Sequence, residues 1–195
     1  MKRIVVAMSG ASGMVYAKRM VLWLLKNGLR VDLLASKTAA KVFELEIGPA
    51  PKDEQGWRKF FNDKKGLLKY YDPDDFNAPL ASGSSAREAM VIIPCSMGMV
   101  GRIASGISSN LIERAADVML KEKKPLALVF RETPLNQVHI ENLSRLSRAG
   151  AIIIPAAPGF YHKPKNIEEL VDGLIGRVLK EIGIENDLEK EWIVK

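Results

Sequence analysis

The stretch Arg3-Ile4-Val5-Val6-Ala7-Met8-Ser9-Gly10-Ala11-Ser12-Gly13 decides the fold class of this 195-residue chain. Residues 4–8 are a short apolar run, typical of a buried strand. Residues 14–26 then carry apolar side chains at three- and four-residue spacing, which is typical of a helix. The two glycines between them permit a tight turn and a close approach of the backbone to a ligand. The sequence therefore begins with a strand, a glycine-rich loop and a helix.

The same alternation continues along the chain. Strands are predicted at residues 3–8, 29–35, 89–94, 126–130 and 151–155, and helices at 14–26, 37–46, 108–123, 135–148 and 167–182. Continuously apolar strands that alternate with helices indicate a parallel sheet covered on both faces, with right-handed crossovers. The sequence predicts a doubly wound, mainly parallel α/β sheet, a three-layer sandwich of the Rossmann-like or flavodoxin-like kind.

The length and the 47% hydrophobic content fit a single domain over residues 1–195. Residues 48–82 are predicted to be an aromatic-rich insertion, because four prolines there interrupt any regular pattern. Such an insertion either packs over the edge of the sheet or meets another subunit, and both alternatives remain open. Residues 183–195 are predicted to be a C-terminal tail.

Composition excludes several classes of protein. No apolar run is long enough for a signal peptide or a membrane span, so we expect a cytoplasmic protein that does not bind membranes. Cys95 is the only cysteine, and His139 and His162 lie far apart in the sequence, so we expect no metal site. The net charge of +6 suits small anionic ligands, whereas nucleic-acid binding is not expected, since no recognisable motif accompanies the charge.

Two loops after predicted strands suit an anion. In Ser9-Gly10-Ala11-Ser12-Gly13, free amides and the Ser12 hydroxyl would face a phosphate at the beginning of a helix. The alternative is a tight turn with Ser12 as a helix cap. Ser36 follows the second strand, where it would bind a ribityl or phosphate oxygen or simply cap the next helix.

The segment Arg131-Glu132-Thr133-Pro134-Leu135 places a guanidinium beside a carboxylate at the end of a strand. Ligands of open α/β sheets bind beyond these strand ends, so the pair is placed for chemistry. Pro134 is expected to begin the next helix. The alternative is a solvated turn with a helix cap.

Three further segments are candidates for ligand contact. Pro94-Cys95-Ser96-Met97-Gly98-Met99 would line one face of a flat aromatic cofactor, or form a buried turn. Arg114 and Lys121 are seven residues apart, hence on nearly one helical face, where they would clamp a phosphate or pair with surface acids. Residues 159–164, together with Arg177, mix aromatic and basic groups that suit an anion.

Together these motifs resemble the UbiX/Pad family of flavin prenyltransferases, and the resemblance covers nearly the whole chain. Any single motif is weak, but their order and spacing are specific. The motifs are Gly10-Ala11-Ser12-Gly13, Ala81-Ser82-Gly83-Ser84, Pro94-Cys95-Ser96-Met97, residues 110–121, Arg131-Glu132-Thr133-Pro134-Leu135, Glu141-Asn142-Leu143 and Pro158-Gly159-Phe160-Tyr161-His162.

The resemblance implies a homododecamer that joins the dimethylallyl group of dimethylallyl phosphate to N5 and C6 of reduced FMN. The product, prenylated FMN, serves a UbiD-type decarboxylase. By similarity, the residues that contact FMN are Gly10, Ala11, Ser12, Ser36, Ser96, Met97, Gly98, Met99 and Arg131. Those that hold the substrate phosphate are Arg114, Lys121, Arg131, Tyr161 and Arg177, and Trp192 matches a tail aromatic that closes the site.

The resemblance also implies the catalytic groups. Glu46 and Glu132 match the family's carboxylates, with Glu132 the candidate for handling the C6 proton and Glu46 with Ser12 governing the proton state near N5. Lys121 and the arginines would assist departure of phosphate without a metal ion. The rival functions are a non-enzymatic flavin carrier or assembly subunit and an FMN-dependent decarboxylase, although the histidine base expected of the related cysteine-decarboxylating fold is absent near the first helix.

Overall fold

A computed structural model describes residues 2–188 of the chain. The strands are β1 (Arg3–Met8), β2 (Arg30–Ala35), β3 (Leu68–Tyr71), β4 (Ala89–Cys95), β5 (Leu126–Phe130) and β6 (Ile152–Pro155). The helices are α1 (Met14–Lys26), α2 (Lys37–Glu46), α3 (Glu54–Phe60), α4 (Met97–Ala104), α5 (Leu111–Lys121), α6 (Gln137–Arg148) and α7 (Ile167–Glu181).

The strands form one parallel sheet in the order β3-β2-β1-β4-β5-β6. This order is that of the Rossmann fold, in which the chain winds outward in both directions from the centre. The predicted doubly wound parallel sheet is therefore confirmed.

The core has two layers because successive side chains of a strand point to opposite faces of the sheet. On β1, Ile4 and Val6 pack in the layer that α1 and α7 cover, whereas Val5 and Ala7 pack in the layer beneath α4 and α5. All four side chains are buried. The strands thus carry apolar residues continuously, as the sequence pattern indicated.

The predicted insertion at residues 48–82 contains two elements that the sequence did not predict, α3 and β3. β3 pairs with β2 and extends the sheet. The buried indole of Trp57 packs edge-on against Phe43 of α2, with ring centroids 5.3 Å apart. Within one chain, the insertion therefore packs at the edge of the sheet.

Two helices begin later than predicted, and one helix was not predicted. α6 begins at Gln137 rather than at Pro134, because the side chain of Asn136 accepts a hydrogen bond from the His139 amide and caps the helix there. α5 begins three residues later than predicted, after its own cap Asn110. The unpredicted helix α4 contains Gly98 and Gly101, which weaken the helical pattern.

A buried ion pair joins β2 to the segment before β4. Asp32 is 1% exposed, and its Oδ2 accepts a hydrogen bond from Arg87 Nε at 2.6 Å. Arg3 lies farther from the same carboxylate, at 3.9 Å. Removing one member of such a pair leaves the other charge without compensation in the protein interior.

Asp32→Ala is therefore expected to lower the free energy of unfolding by about 3 kcal/mol, measured by urea denaturation. The matched control is Asp74→Ala, because Asp74 pairs with Lys37 in solvent, where their side chains are 59% and 82% exposed. The control should unfold at the wild-type urea concentration. Equal effects of the two substitutions would contradict the argument from burial.

None of the helices within residues 2–188 is both long enough and apolar enough to cross a membrane.

Candidate functional site

The crevice at the carboxyl ends of β1 and β4 is the switch point of the sheet, where ligands of this topology bind. A buried serine fixes the two flanking loops relative to each other. Ser9 Oγ donates to the carbonyl oxygen of Pro94 at 3.1 Å and accepts from the amide of Ser96 at 2.8 Å. The sequence did not single out Ser9, although a polar residue at the end of an apolar strand is a usable signal.

The glycine-rich loop approaches α2 closely. A Cβ at Gly10 would lie 2.7 Å from both Cβ and Oγ1 of Thr38, so a side chain does not fit there. Ser36 caps α2 by accepting from the Ala39 amide at 3.0 Å, and its hydroxyl lies 3.0 Å from that of Thr38. The capping role expected of Ser36 is present, and Thr38 joins the site as a residue that the sequence analysis missed.

Glu46, at the last turn of α2, caps the beginning of α1. Its carboxylate accepts hydrogen bonds from the amide of Gly13, at 3.1 and 3.0 Å, and from that of Met14, at 2.8 Å. Gly13 has a φ of 113°, a left-handed conformation that favours glycine. Glu46 therefore supplies the side-chain cap of α1 that Gly13, which has no side chain, does not provide.

The groups around the Glu46 carboxylate lower its pKa. Partial desolvation alone would raise this pKa, but the Ser12 hydroxyl, the Gly13 and Met14 amides and the charge of Arg131 together hold it below its ordinary value. Ser12 in the loop after β1 and Arg131 after β5 thus both act on the Glu46 carboxylate at the end of α2.

Because the pKa of Glu46 is depressed in the folded state, its stabilising contribution is present above the unfolded-state pKa and is lost as the pH falls through the folded-state pKa. Glu46→Gln is expected to lower the free energy of unfolding at pH 7 by about 1 kcal/mol, since solvent reaches this helix cap. Urea titrations of both proteins should converge as the pH falls below the ordinary value of 4.5. A difference that persists unchanged into acid would contradict the assigned ionisation.

Arg131 follows β5, and its amide donates to the carbonyl oxygen of Cys95 at 3.2 Å. Its Nε is buried and has no hydrogen-bond partner among the described residues. Buried donors are nearly always satisfied, so this one points to a missing acceptor. The neighbouring Glu132 is exposed, and its Oε1 accepts from the Thr133 amide at 3.1 Å.

Within the described residues, the hydrogen bonds of Arg114 and Lys121 go to groups other than Arg131. Arg114 Nε donates to the carbonyl oxygen of Ala81 at 3.0 Å, and Lys121 Nζ lies 2.7 Å from Glu122. Lys121 ends α5 just before β5 begins, whereas Arg131 follows the other end of that strand. The six residue steps from 125 to 131 span roughly 20 Å, so the backbones of Lys121 and Arg131 lie toward opposite ends of β5.

The remaining predicted residues are divided: Arg177 and Tyr161 come after β6 in the chain, whereas Ser96 to Met99 follow β4 within the crevice. Arg177 pairs with Glu181 at 2.8 Å and lines a groove of 470 Å³ beside β6. The side chain of Tyr161 is 76% exposed. Trp192 lies outside the described residues. Ser96 caps α4 by accepting from the Met99 amide at 3.3 Å, and the side chains of Met97 and Met99 are buried.

Within residues 2–188, no three side chains of His, Cys, Asp or Glu come together in an arrangement that would hold a metal ion. Burial raises the pKa of the Cys95 thiol to about 12, so this thiol is protonated at neutral pH.

Sequence comparison relates the chain to flavoproteins. The family model described as Flavoprotein matches residues 1–179. Flavin prenyltransferase UbiX of Methanocaldococcus jannaschii is 43% identical over 190 residues, which cover 97% of this chain and 98% of the relative. Flavin prenyltransferase UbiX of Pseudomonas aeruginosa is 45% identical over 196 residues, covering 98% and 94%.

Solved structures agree. A UbiX protein crystallised with FMN and dimethylallyl pyrophosphate superposes with a TM-score of 0.89 at 35% identity, over 100% of this chain and 98% of the other. A dodecameric FMN-dependent UbiX-like decarboxylase of Escherichia coli superposes with a TM-score of 0.87 at 33% identity, over 98% and 100%.

Proposed function

The chain belongs to the flavin prenyltransferase family, and from that membership we propose that it joins the dimethylallyl group of dimethylallyl phosphate to N5 and C6 of reduced FMN. The products are prenylated FMN, which a UbiD-type decarboxylase would use, and phosphate. The observation that carries the proposal is the buried Nε of Arg131, which follows β5 and has no hydrogen-bond partner within residues 2–188. The location of the protein in the cytoplasm stays a prediction from composition.

The residues of the crevice fit FMN. Position 10 requires glycine, because Thr38 occupies the space that a side chain would need. A backbone without a side chain lets amides approach a phosphate closely. The orphaned Nε of Arg131 offers a buried donor to an oxygen or nitrogen acceptor of the ligand. These two features support a bound anionic cofactor without any metal ligand.

When bound, FMN supplies the nucleophilic N5 and C6 atoms. The protein then has to bind, orient and move protons. Arg131 would donate to the ligand, and its charge also acts on Glu46. Glu46 and Ser12 would set the protonation near N5, and Glu132 would accept the proton from C6. Departure of phosphate needs a positive field, which Lys121 and Arg114 would supply in place of a metal ion.

We infer that this positive field comes from a neighbouring copy of the chain. Lys121 lies toward the amino end of β5 and Arg131 follows its carboxyl end, so we do not expect one phosphate to touch both within one chain. The exposed apolar side chains of Val138 and Ile140 on α6, 62% and 56% accessible, also favour an assembly. A homododecamer, as in the Escherichia coli relative, would bring residues of different copies together.

The test is anaerobic incubation of the purified protein with reduced FMN and dimethylallyl phosphate, followed by mass analysis of the extracted flavin. A gain of one C5H8 unit with release of phosphate, in the presence of a metal chelator, is the expected result. Dimethylallyl pyrophosphate, which the UbiX crystal complex contains, is the second donor to assay. Unmodified FMN with both donors would favour the carrier, and carbon dioxide released from an aromatic acid would favour the decarboxylase.

Gly10→Ala is expected to weaken FMN binding at least tenfold, because the new methyl group would push Thr38 and the loop apart. A loss of this size corresponds to about 1.4 kcal/mol. Flavin fluorescence titration gives the affinity. Gly173→Ala is the matched control, since nothing lies within 4 Å of a Cβ built at Gly173. Wild-type affinity of Gly10→Ala would remove the loop from the proposed site.

A further inference from the structure

Arg102 on α4 carries a positive charge that the proposed reaction does not use. Its Nε donates to the carboxylate of Glu113, which is fully buried, while the Arg102 side chain keeps 42% exposure. Glu113 also accepts from the amide and hydroxyl of Ser109, at 2.7 and 2.5 Å, and from Asn110 Nδ2 at 2.9 Å. The carboxylate is thus fixed by the beginning of α5 and holds the guanidinium in one place.

The guanidinium extends toward the β4–α4 loop. Arg102 lies four residues after Gly98, and helical side chains lean toward the beginning of their helix. A Cβ at Gly98 would lie 3.4 Å from Arg102 Nη1. The guanidinium therefore lies within van der Waals distance of position 98, beside an exposed glycine of the crevice.

The terminal nitrogens of Arg102 are available to a ligand. Only Nε has a hydrogen-bond partner among the described residues, namely Glu113. Glu113 holds Nε and Nη1 lies at Gly98, so the pair places positive charge beside the crevice. A guanidinium fixed in this way loses little side-chain entropy when it binds an anion.

We propose that Arg102 contacts bound FMN and stabilises its anionic reduced form relative to the oxidised form. This inference rests on the proposed function, because it needs the flavin in the crevice. Two electrons and one proton convert the neutral oxidised ring to an anion with its charge over N1 and the C2 carbonyl. A fixed cation interacts more strongly with the anionic ring than with the neutral one.

The alternative ligand for this cation is the FMN phosphate. The phosphate has the same charge near neutral pH whichever redox form the ring takes. A contact with the phosphate would therefore strengthen binding of both forms equally, whereas a contact with the ring changes their ratio. In the loop after β1, the amides of Gly13 and Met14 donate to Glu46, but those of Gly10 and Ser12 donate to no other residue within 2–188. These two amides suit the phosphate, which favours the ring as the contact of Arg102.

The experiment compares redox forms in folded variants. Arg102→Met alone would leave Glu113 buried and unpaired, so the double variant Arg102→Met/Glu113→Gln is compared with Glu113→Gln. Anaerobic dithionite titration of the FMN-loaded proteins gives the reduction potential of bound FMN. Its shift from the potential of free FMN gives the ratio of the affinities for reduced and oxidised FMN. Arg148→Met, on exposed α6, is the control for a lost surface charge.

In the double variant, the ratio of affinities for reduced and oxidised FMN is expected to be about tenfold lower than in Glu113→Gln. The reduction potential of bound FMN then falls by ~30 mV, since the couple transfers two electrons. Arg148→Met should match the wild type. The same ratio in the double variant and Glu113→Gln, or equal loss of affinity for both redox forms, would overturn the inference. Failure of the wild-type protein to bind FMN would instead overturn the proposed function, and this inference with it.

Discussion

Glu132→Gln is expected to lower the rate of flavin prenylation by about 10²- to 10⁴-fold, the usual contribution of a general acid–base group. The amide keeps the size and polarity of the side chain but cannot accept the proton that C6 must lose. FMN binding should remain at the wild-type level, because Glu132 is exposed and its contact within the chain is with the Thr133 amide. Single-turnover mass analysis of the flavin measures the chemical step.

Two outcomes separate a chemical role of Glu132 from a structural one. Glu141→Gln is the matched control, since Glu141 is an exposed carboxylate on α6 that pairs with Gln137. The control should prenylate flavin at the wild-type rate. Unchanged turnover in Glu132→Gln would remove its assigned role, and loss of bound FMN would reassign Glu132 to cofactor binding.

Lys121→Met and Arg131→Met are each expected to lower prenylation at least 100-fold when expressed alone, because each removes one charge that faces the departing phosphate. Expressed together in one cell, the two variants should regain about one quarter of wild-type activity, if random assembly pairs intact Arg131 of one copy with intact Lys121 of another. The measurement is the activity of mixed assemblies isolated through two different tags.

The control for this experiment combines Lys121→Met with Arg114→Met. Both residues lie on α5, so each neighbouring copy would carry one defect and no site would be complete. Recovery in the first pair without recovery in the second is the expected pattern. Failure of both pairs to recover activity would mean that one chain supplies all of these groups.

Much of the fold could be predicted from the sequence, because most strands and helices have a recognisable pattern of apolar residues within their own segment. β5 is a run of five apolar residues, and α1 keeps its apolar spacing over its 13 residues. β3 escaped prediction because Leu68-Lys69-Tyr70-Tyr71 is short and lies in a proline-rich stretch. Its strand conformation depends on pairing with β2, a contact that no local pattern encodes.

The candidate site was less accessible to sequence reasoning. Ser12 and Arg131 stand in loops after strands, so topology alone assigns them to one edge of the sheet. Glu46 ends a helix, and only the resemblance suggested it, since its place over Gly13 depends on how α2 packs against α1. Helical spacing grouped Arg114 with Lys121, but it carried no information about which end of β5 Lys121 would lie near.

The placement of Lys121 toward the amino end of β5, with Arg131 after its carboxyl end, has a genetic consequence. If each site draws on two copies, a defective allele does harm beyond its own product. A chain that carries Lys121→Met would inactivate the site of a wild-type neighbour, which depends on that lysine. The site on the variant chain itself would remain active when its own neighbour is wild type. Alleles damaged at the amino end of β5 should therefore behave as partly dominant, and pairs of alleles damaged at opposite ends should complement one another.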